Sequence, residues 1–133
     1  MRKNKISFDK VQEAFNAAIK RRDRRFMIRD FTPCCGALEC SHFFTVGSSP
    51  ALRFYPSNAY AQCQMHHYKH HHSKEFDRYF EWLEEEHGEE LEKMSALRHR
   101  YIKYTDELKM EIISLCNADK LDELKELIEE NLK

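Results

Sequence analysis

Three stretches decide how this chain is read: Leu38-Glu39-Cys40-Ser41-His42-Phe43-Phe44, Arg53-Phe54-Tyr55-Pro56-Ser57-Asn58-Ala59, and Gln62-Cys63-Gln64-Met65-His66-His67. All three prolines (Pro33, Pro50, Pro56) and two of the three glycines (Gly36, Gly47) lie in or beside them, so the region is rich in turns. Between the turns, Leu38 to Val46 predicts a strand and Ala51 to Tyr55 a second one. Gly47-Ser48-Ser49-Pro50 would join the two as a hairpin loop. A loop is expected from Pro56 to Gln62, then a helix from about Cys63 to Glu86, with Phe76, Tyr79, Phe80 and Leu83 on its buried face and Gly88 at its end.

Outward from this centre the periodicity becomes helical. Phe8, Val11, Phe15 and Ile19 form one apolar stripe behind Ser7, whose side-chain oxygen can cap a first helix. Lys20, Arg21, Arg22, Arg24 and Arg25 follow it. On the other side, Leu91, Met94, Leu97, Tyr101, Tyr104 and Leu108 continue a drifting stripe, extended by Ile112. Asp119 is the expected cap of a last helix, with Leu121, Leu124, Ile128 and Leu132 facing inward. The expected organisation is therefore α+β: a basic N-terminal helix or arm over residues 1–30, a central unit over 31–88, and a C-terminal helical extension over 89–133.

Composition narrows the function classes. The chain has 133 residues, 34% of them charged and 41% hydrophobic, which suits one small domain with helical additions. No apolar run approaches the roughly 20 residues of a membrane-spanning helix. The first thirty residues are polar and basic rather than leader-like. The net charge of -1 conceals an asymmetry: residues 1–30 carry ten Lys/Arg against four Asp/Glu, and residues 74–133 carry ten against eighteen. Only the basic head is expected to meet a polyanion, whereas the acidic C-terminal helices would repel phosphate and instead pack on the core or on a second subunit as a homodimer. Four of the five cysteines (Cys34, Cys35, Cys40, Cys63) lie among the histidines, a pattern that suits metal better than disulfides; Cys116 reads as a small buried apolar residue.

A histidine on a strand (His42), an asparagine in a loop (Asn58) and a histidine at a helix start (His67) form one ordered pattern. It resembles the HNH, or ββα-metal, endonucleases, and within them the phage recombination nucleases called NinG or Rap. The similarity rests on Cys40-Ser41-His42-Phe43, on Arg53-aromatic-x-x-x-Asn58, on Cys63-x-x-His66-His67 and on the Gly88-Glu89-Glu90 turn, and covers roughly residues 34–93. The resemblance implies metal-dependent hydrolysis of DNA phosphodiester bonds, in phage recombination or DNA processing within the cytoplasm of a bacterial host.

It also implies roles. His42 would be the general base: an imidazole with an unperturbed pKa of about 6.5 can be neutral at physiological pH and take a proton from water. His67 would ligate one divalent ion, Mg²⁺ or Mn²⁺, that neutralises charge on the scissile phosphate. Asn58 cannot titrate, and its amide would brace the metal-binding loop or orient His42 by hydrogen bonding. Ser41 stands where many relatives carry another ligand. His71, one helical turn beyond His67, is the preferred second ligand, with His70 in reserve. Relatives also carry two Cys-x-x-Cys knuckles holding a structural Zn²⁺. Here the second reads Cys63-x-x-His66, and the first lacks its leading cysteine, replaced by Thr32. Cys35 and Cys40 are the favoured remaining ligands, with Cys34 as the alternative. Lys20, Arg21, Arg22, Arg24, Arg25 and Arg53 are the candidate phosphate contacts.

Plainer readings stand beside these. Phe43, Phe44, Phe54 and Tyr55 are expected in the core rather than against bases, His70 to His72 can be a solvated face, and a basic run usually just solubilises a helix end. The alternative to an enzyme is a non-catalytic, zinc-stabilised DNA-binding module with His42 and His67 as structural ligands.

Overall fold

The computed structural model describes residues 5–23, 38–63 and 76–133. Among them, helix α1 (Phe8–Asp23) is followed by strands β1 (Leu38–His42) and β2 (Ala59–Cys63), then by helices α2 (Phe76–Leu97), α3 (Asp106–Asn117) and α4 (Leu121–Asn131). The strands pair antiparallel, His42 opposite Ala59 and Leu38 opposite Cys63, so the chain is α+β with one small two-stranded sheet. No described helix is long and apolar enough to cross a membrane.

Helix α1 begins as its sequence indicates: Ser7 Oγ accepts from the Lys10 amide at 3.3 Å, satisfying one of the amides left over in a first turn. Val11, Phe15, Ala18 and Ile19 are fully buried and lie against the sheet and α3. The same core takes in Leu83 and Met94 from α2, Ile112 and Cys116 from α3, and Leu124 and Ile128 from α4. Cys116 is thus the small buried group its context suggests, and burial pushes its thiol up to about 12. The acidic helices spend part of their charge internally. Lys93 and Lys125 pair with Glu129 and Glu90 at 2.6 and 2.7 Å, and Glu129 also accepts from the Tyr55 hydroxyl at 2.6 Å. Burial by itself would raise the Glu129 carboxyl, but the bonds from Lys93 and Tyr55 outweigh it and hold the group below the usual range.

The structure corrects several expectations. The second strand is Ala59–Cys63, not Ala51–Tyr55, and the first stops at His42 rather than Val46. Ala51, Leu52, Phe54 and Tyr55 are apolar because they plug the core, not because they form a ladder. Pro50 and Pro56 each open a turn of 3₁₀ helix, Pro50–Leu52 and Pro56–Asn58, consistent with their fixed φ and missing N–H. Ala-Tyr-Ala-Gln-Cys has little β-branched content, yet Ala59 to Gln62 are all buried, so it is burial and pairing that make the strand. Cys63 ends β2 instead of starting a helix.

Helix α2 continues past Gly88 to Leu97, with its break one residue earlier at His87 (φ −141°, ψ 42°). Residues 98–105 are then non-helical, which takes Tyr101 out of the apolar stripe and leaves it 62% exposed. Thr105 caps α3 through its side chain, accepting from the Leu108 amide. Asp119 does not cap α4. It closes α3 in the left-handed region (φ 56°), where the Lys120 amide reaches back to the Leu115 carbonyl at 2.9 Å.

Candidate functional site

The two strands are joined by residues 43–58, and Asn58 organises that loop. It is fully buried. Its Oδ1 accepts from the Phe44 amide at 2.9 Å, and its Nδ2 donates to the carbonyls of Phe44 and Leu52 at 2.9 and 3.1 Å. Its own carbonyl accepts from the Phe43 amide, which extends the strand pairing one step beyond His42. One side chain therefore fastens both ends and the middle of the loop. These bonds run to Phe44 and Leu52 within the loop.

His42 ends β1 and is partly buried. Its Nε2 lies 2.8 Å from the Arg53 carbonyl, and its ring stacks on Phe15 at 5.7 Å. A carbonyl can only accept, so Nε2 carries the hydrogen and Nδ1 carries the lone pair of the neutral ring. The ring's orientation thus comes from a main-chain group of the loop that Asn58 holds. No periodicity or motif pointed to that carbonyl, because a main-chain contact depends on the loop's path rather than on the identity of residue 53.

Strand alternation puts His42 and Cys40 on one face of the sheet, towards α1. Cys40 is partly exposed as a residue, but burial of its thiol pushes the pKa up to about 12 even though the nearby Arg22 charge pulls the other way. Opposite it stands Ala61, two positions from Cys63. The other face carries Ser41, Tyr60 and Gln62, all buried, and neither amide atom of Gln62 has a hydrogen-bond partner.

Two basic residues of α1, Arg21 and Arg22, bond groups elsewhere in the fold. Arg22 donates to the carbonyls of Pro56 and Ala59 at 3.0 and 2.6 Å and forms a two-point pair with Asp23 at 2.7 and 3.1 Å. Asp23 in turn accepts from the Ala61 amide at 2.8 Å. Because the Phe43 amide bonds the Asn58 carbonyl, even-numbered residues of β2 face β1 along the ladder, and Ala59 and Ala61 turn their main-chain groups to the outer edge. Arg22 and Asp23 therefore complete that edge as a third strand would, covering groups that otherwise invite pairing with another chain. Arg21 bonds Asp119 and the Cys116 carbonyl, both at 2.8 Å, placing a cation at the C-terminal end of α3. The Arg53 guanidinium bonds Gln12 at 2.8 Å and lies over the rings of Phe8 and Phe54. Lys20 is exposed.

Of the other candidates, His66, His67, His70, His71, Cys34, Cys35, Arg24 and Arg25 lie outside the described residues, and Cys63 is described in its backbone alone. Among the described residues no three histidine, cysteine or acidic side chains converge as a metal-binding group. Phe43, Phe44, Phe54 and Tyr55 are buried, as expected of core residues.

No curated protein and no solved structure matches the chain. A family model does, that of the bacteriophage lambda NinG protein, over residues 1–129. A match across nearly the whole length leaves the ends no less a part of the likeness than the centre, and the chain accordingly belongs to the NinG family, which makes it a phage recombination-related protein.

Proposed function

We propose that this protein is a metal-dependent DNA endonuclease of the HNH type, with His42 as its general base. The carrying observation is the His42 ring, fixed at the end of a strand by the Arg53 carbonyl and Phe15; in the neutral tautomer that this contact favours, Nδ1 would take the proton. A base positioned in this way need not reorganise before it takes a proton from the attacking water. The order of strand, braced loop, antiparallel strand and helix is also that of the ββα-metal arrangement.

The chain's own groups divide the work. Asn58 keeps residues 43–58 in place, the loop's Arg53 carbonyl holds the Nε2–H, and His42 accepts the water proton at Nδ1. A divalent ion such as Mg²⁺ or Mn²⁺ would stabilise charge on the scissile phosphate and the leaving oxygen. His67 and His71 are its candidate ligands, and Cys35 (or Cys34), Cys40, Cys63 and His66 those of a structural Zn²⁺.

The test is a nicking assay on supercoiled plasmid with Mg²⁺ or Mn²⁺, run beside DNA binding and zinc content. His42→Ala should lower the rate by about 10²–10⁴ while binding and folding persist. Full activity in that variant would remove His42 from the mechanism. Zinc loss with unfolding would make His42 a structural ligand and favour the non-catalytic DNA-binding module.

A further inference from the structure

Next to His42 the chain forms a second feature. Phe43 and Phe44 line a cleft of about 350 Å³ together with Phe80 from the start of α2, Ser95 near its end and Arg98 just beyond it. Phe80 is 40% exposed, unusual for a large apolar side chain, and its ring centre lies 6.1 Å from that of Phe43. The Arg98 guanidinium stacks on Phe44, 4.5 Å from the ring centre. Its Nε is buried and has no hydrogen-bond partner among the described residues. A buried N–H donor without an acceptor costs free energy, so the occupant that suits this cleft brings an acceptor as well as a flat apolar face. Among the described residues no carboxylate lines the cleft.

The adjoining chain carries matching charge. Arg98-His99-Arg100-Tyr101-Ile102-Lys103 holds three cations and no acid, within the half of the molecule that is otherwise acidic. His99, Arg100 and Lys103 are exposed, and so is the Tyr101 ring. The segment has a fixed path, because Tyr101 and Lys133 exchange two main-chain hydrogen bonds at 3.0 and 2.8 Å. Cations along a backbone track, with aromatic rings to stack on, are what a single nucleic-acid strand needs.

We propose that the cleft between Phe80, Phe43 and Arg98 receives one unpaired base of the DNA, and that residues 98–103 hold the phosphates of that strand. The base stacks against Phe80, one of its edge acceptors takes the Arg98 Nε–H, and Arg100 and Lys103 meet the backbone. An aliphatic segment would fill the same space and leave Arg98 unsatisfied. Phe43 directly follows His42 in the chain, and by strand alternation its side chain lies on the face of the sheet opposite the His42 ring. This inference rests on the nuclease reading for its substrate, but its test does not require cleavage.

The experiment measures binding of the full chain carrying His42→Ala, without divalent ion, to a single-stranded oligonucleotide containing one 2-aminopurine, and to a series with one abasic position moved along it. The 2-aminopurine should be quenched at one position, and an abasic nucleotide there should weaken binding by roughly 5- to 100-fold, the usual range for one stacked base. Phe80→Ala should cost a similar factor on intact DNA and nothing further on the abasic strand. Arg98→Gln should weaken the intact strand while leaving the abasic one less affected. Binding that ignores both the abasic position and Phe80→Ala overturns the base pocket and leaves the nuclease reading standing. No binding to any DNA overturns both. A change of oligomeric state in Phe80→Ala, without change in DNA affinity, assigns the cleft to a second copy of the chain and overturns the proposal.

Discussion

Residues 20–23 and 98–103 are the two basic segments of the described structure, and they use their charge in opposite directions. In the first, Arg21 and Arg22 are bound to the fold: they bond the carbonyls of Cys116, Pro56 and Ala59 and pair with Asp119 and Asp23. In the second, Arg100 and Lys103 face solvent, and Arg98 keeps a buried donor with no acceptor among the described residues. A count of charges puts the polyanion at the N-terminal head. Among the described cations of that head, Arg21 and Arg22 bond groups of the fold while Lys20 is exposed, and in the smaller cluster, inside an acidic half, Arg100 and Lys103 are exposed. A cation is informative about partners only after its internal acceptors are known.

The comparison breaks most severely if the turn that receives Arg22 is lost. That turn, Pro56–Ala59, is held by Asn58. Asn58→Ala removes three side-chain hydrogen bonds at a fully buried position and leaves the Phe44 amide and the carbonyls of Phe44 and Leu52 without that partner. The expected loss is about 3–5 kcal/mol, read by urea unfolding. Activity should fall with it, since the Arg53 carbonyl that orients His42 belongs to the same loop. A loss under about 1 kcal/mol would mean that the loop holds its shape without Asn58.

A matched pair of substitutions sharpens the contrast. Arg22→Met keeps some apolar length but strands the Asp23 carboxylate, whose side chain is 4% exposed, and frees two carbonyls. It should cost about 2–4 kcal/mol in stability, because removing one partner leaves a buried charge uncompensated. Arg100→Met should stay within about 0.5 kcal/mol of the wild type. On DNA the order reverses: Arg100→Met should weaken binding and lower its salt dependence, whereas Arg22→Met, measured at a temperature where it remains folded, should change neither. Equal stability losses from both substitutions would erase the distinction between the segments.

Much of the helical fold was legible in the sequence, because Val11, Phe15 and Ile19, or Leu124 and Ile128, recur at the spacing that buries one face. The strands were half legible. Leu38–His42 stood out, while Ala59–Cys63 was hidden, since its evidence is a partner in space rather than β-branched residues. The reverse error at Ala51–Tyr55 has the same source: apolar content marks burial, and two 3₁₀ turns bury side chains as well as a strand does. At the candidate site, His42 and Asn58 were legible as candidate residues. The Arg53 carbonyl and the Arg98 donor were not, because both depend on where the chain passes rather than on a motif.

The smallest expected effect concerns how far the Arg22 charge reaches inside the fold. His87, at the break in α2, stacks on Tyr60 at 5.1 Å, and Arg22 lies over the same Tyr60 ring. Burial first, and the Arg22 charge second, hold the His87 pKa below its usual 6.5. The folded protein therefore resists protonating this ring, whereas the unfolded chain takes up the proton as pH falls through about 6.5. Stability at this position is unaffected above that pH, declines as pH drops from there to the folded pKa, and declines no further below it. The acid groups Glu90 and Glu129 act in a lower window, since their folded pKa values lie below 4.5 and their contribution is lost only as pH falls through them. Urea midpoints of wild type and His87→Gln, compared between pH 7.5 and 5, should show the wild type falling more steeply, and parallel curves would sink the argument. Arg22→Met should make the wild-type slope shallower in the same interval. If it left the slope unchanged, burial alone would account for His87, and the charge of Arg22 would be confined to the strand edge that it covers.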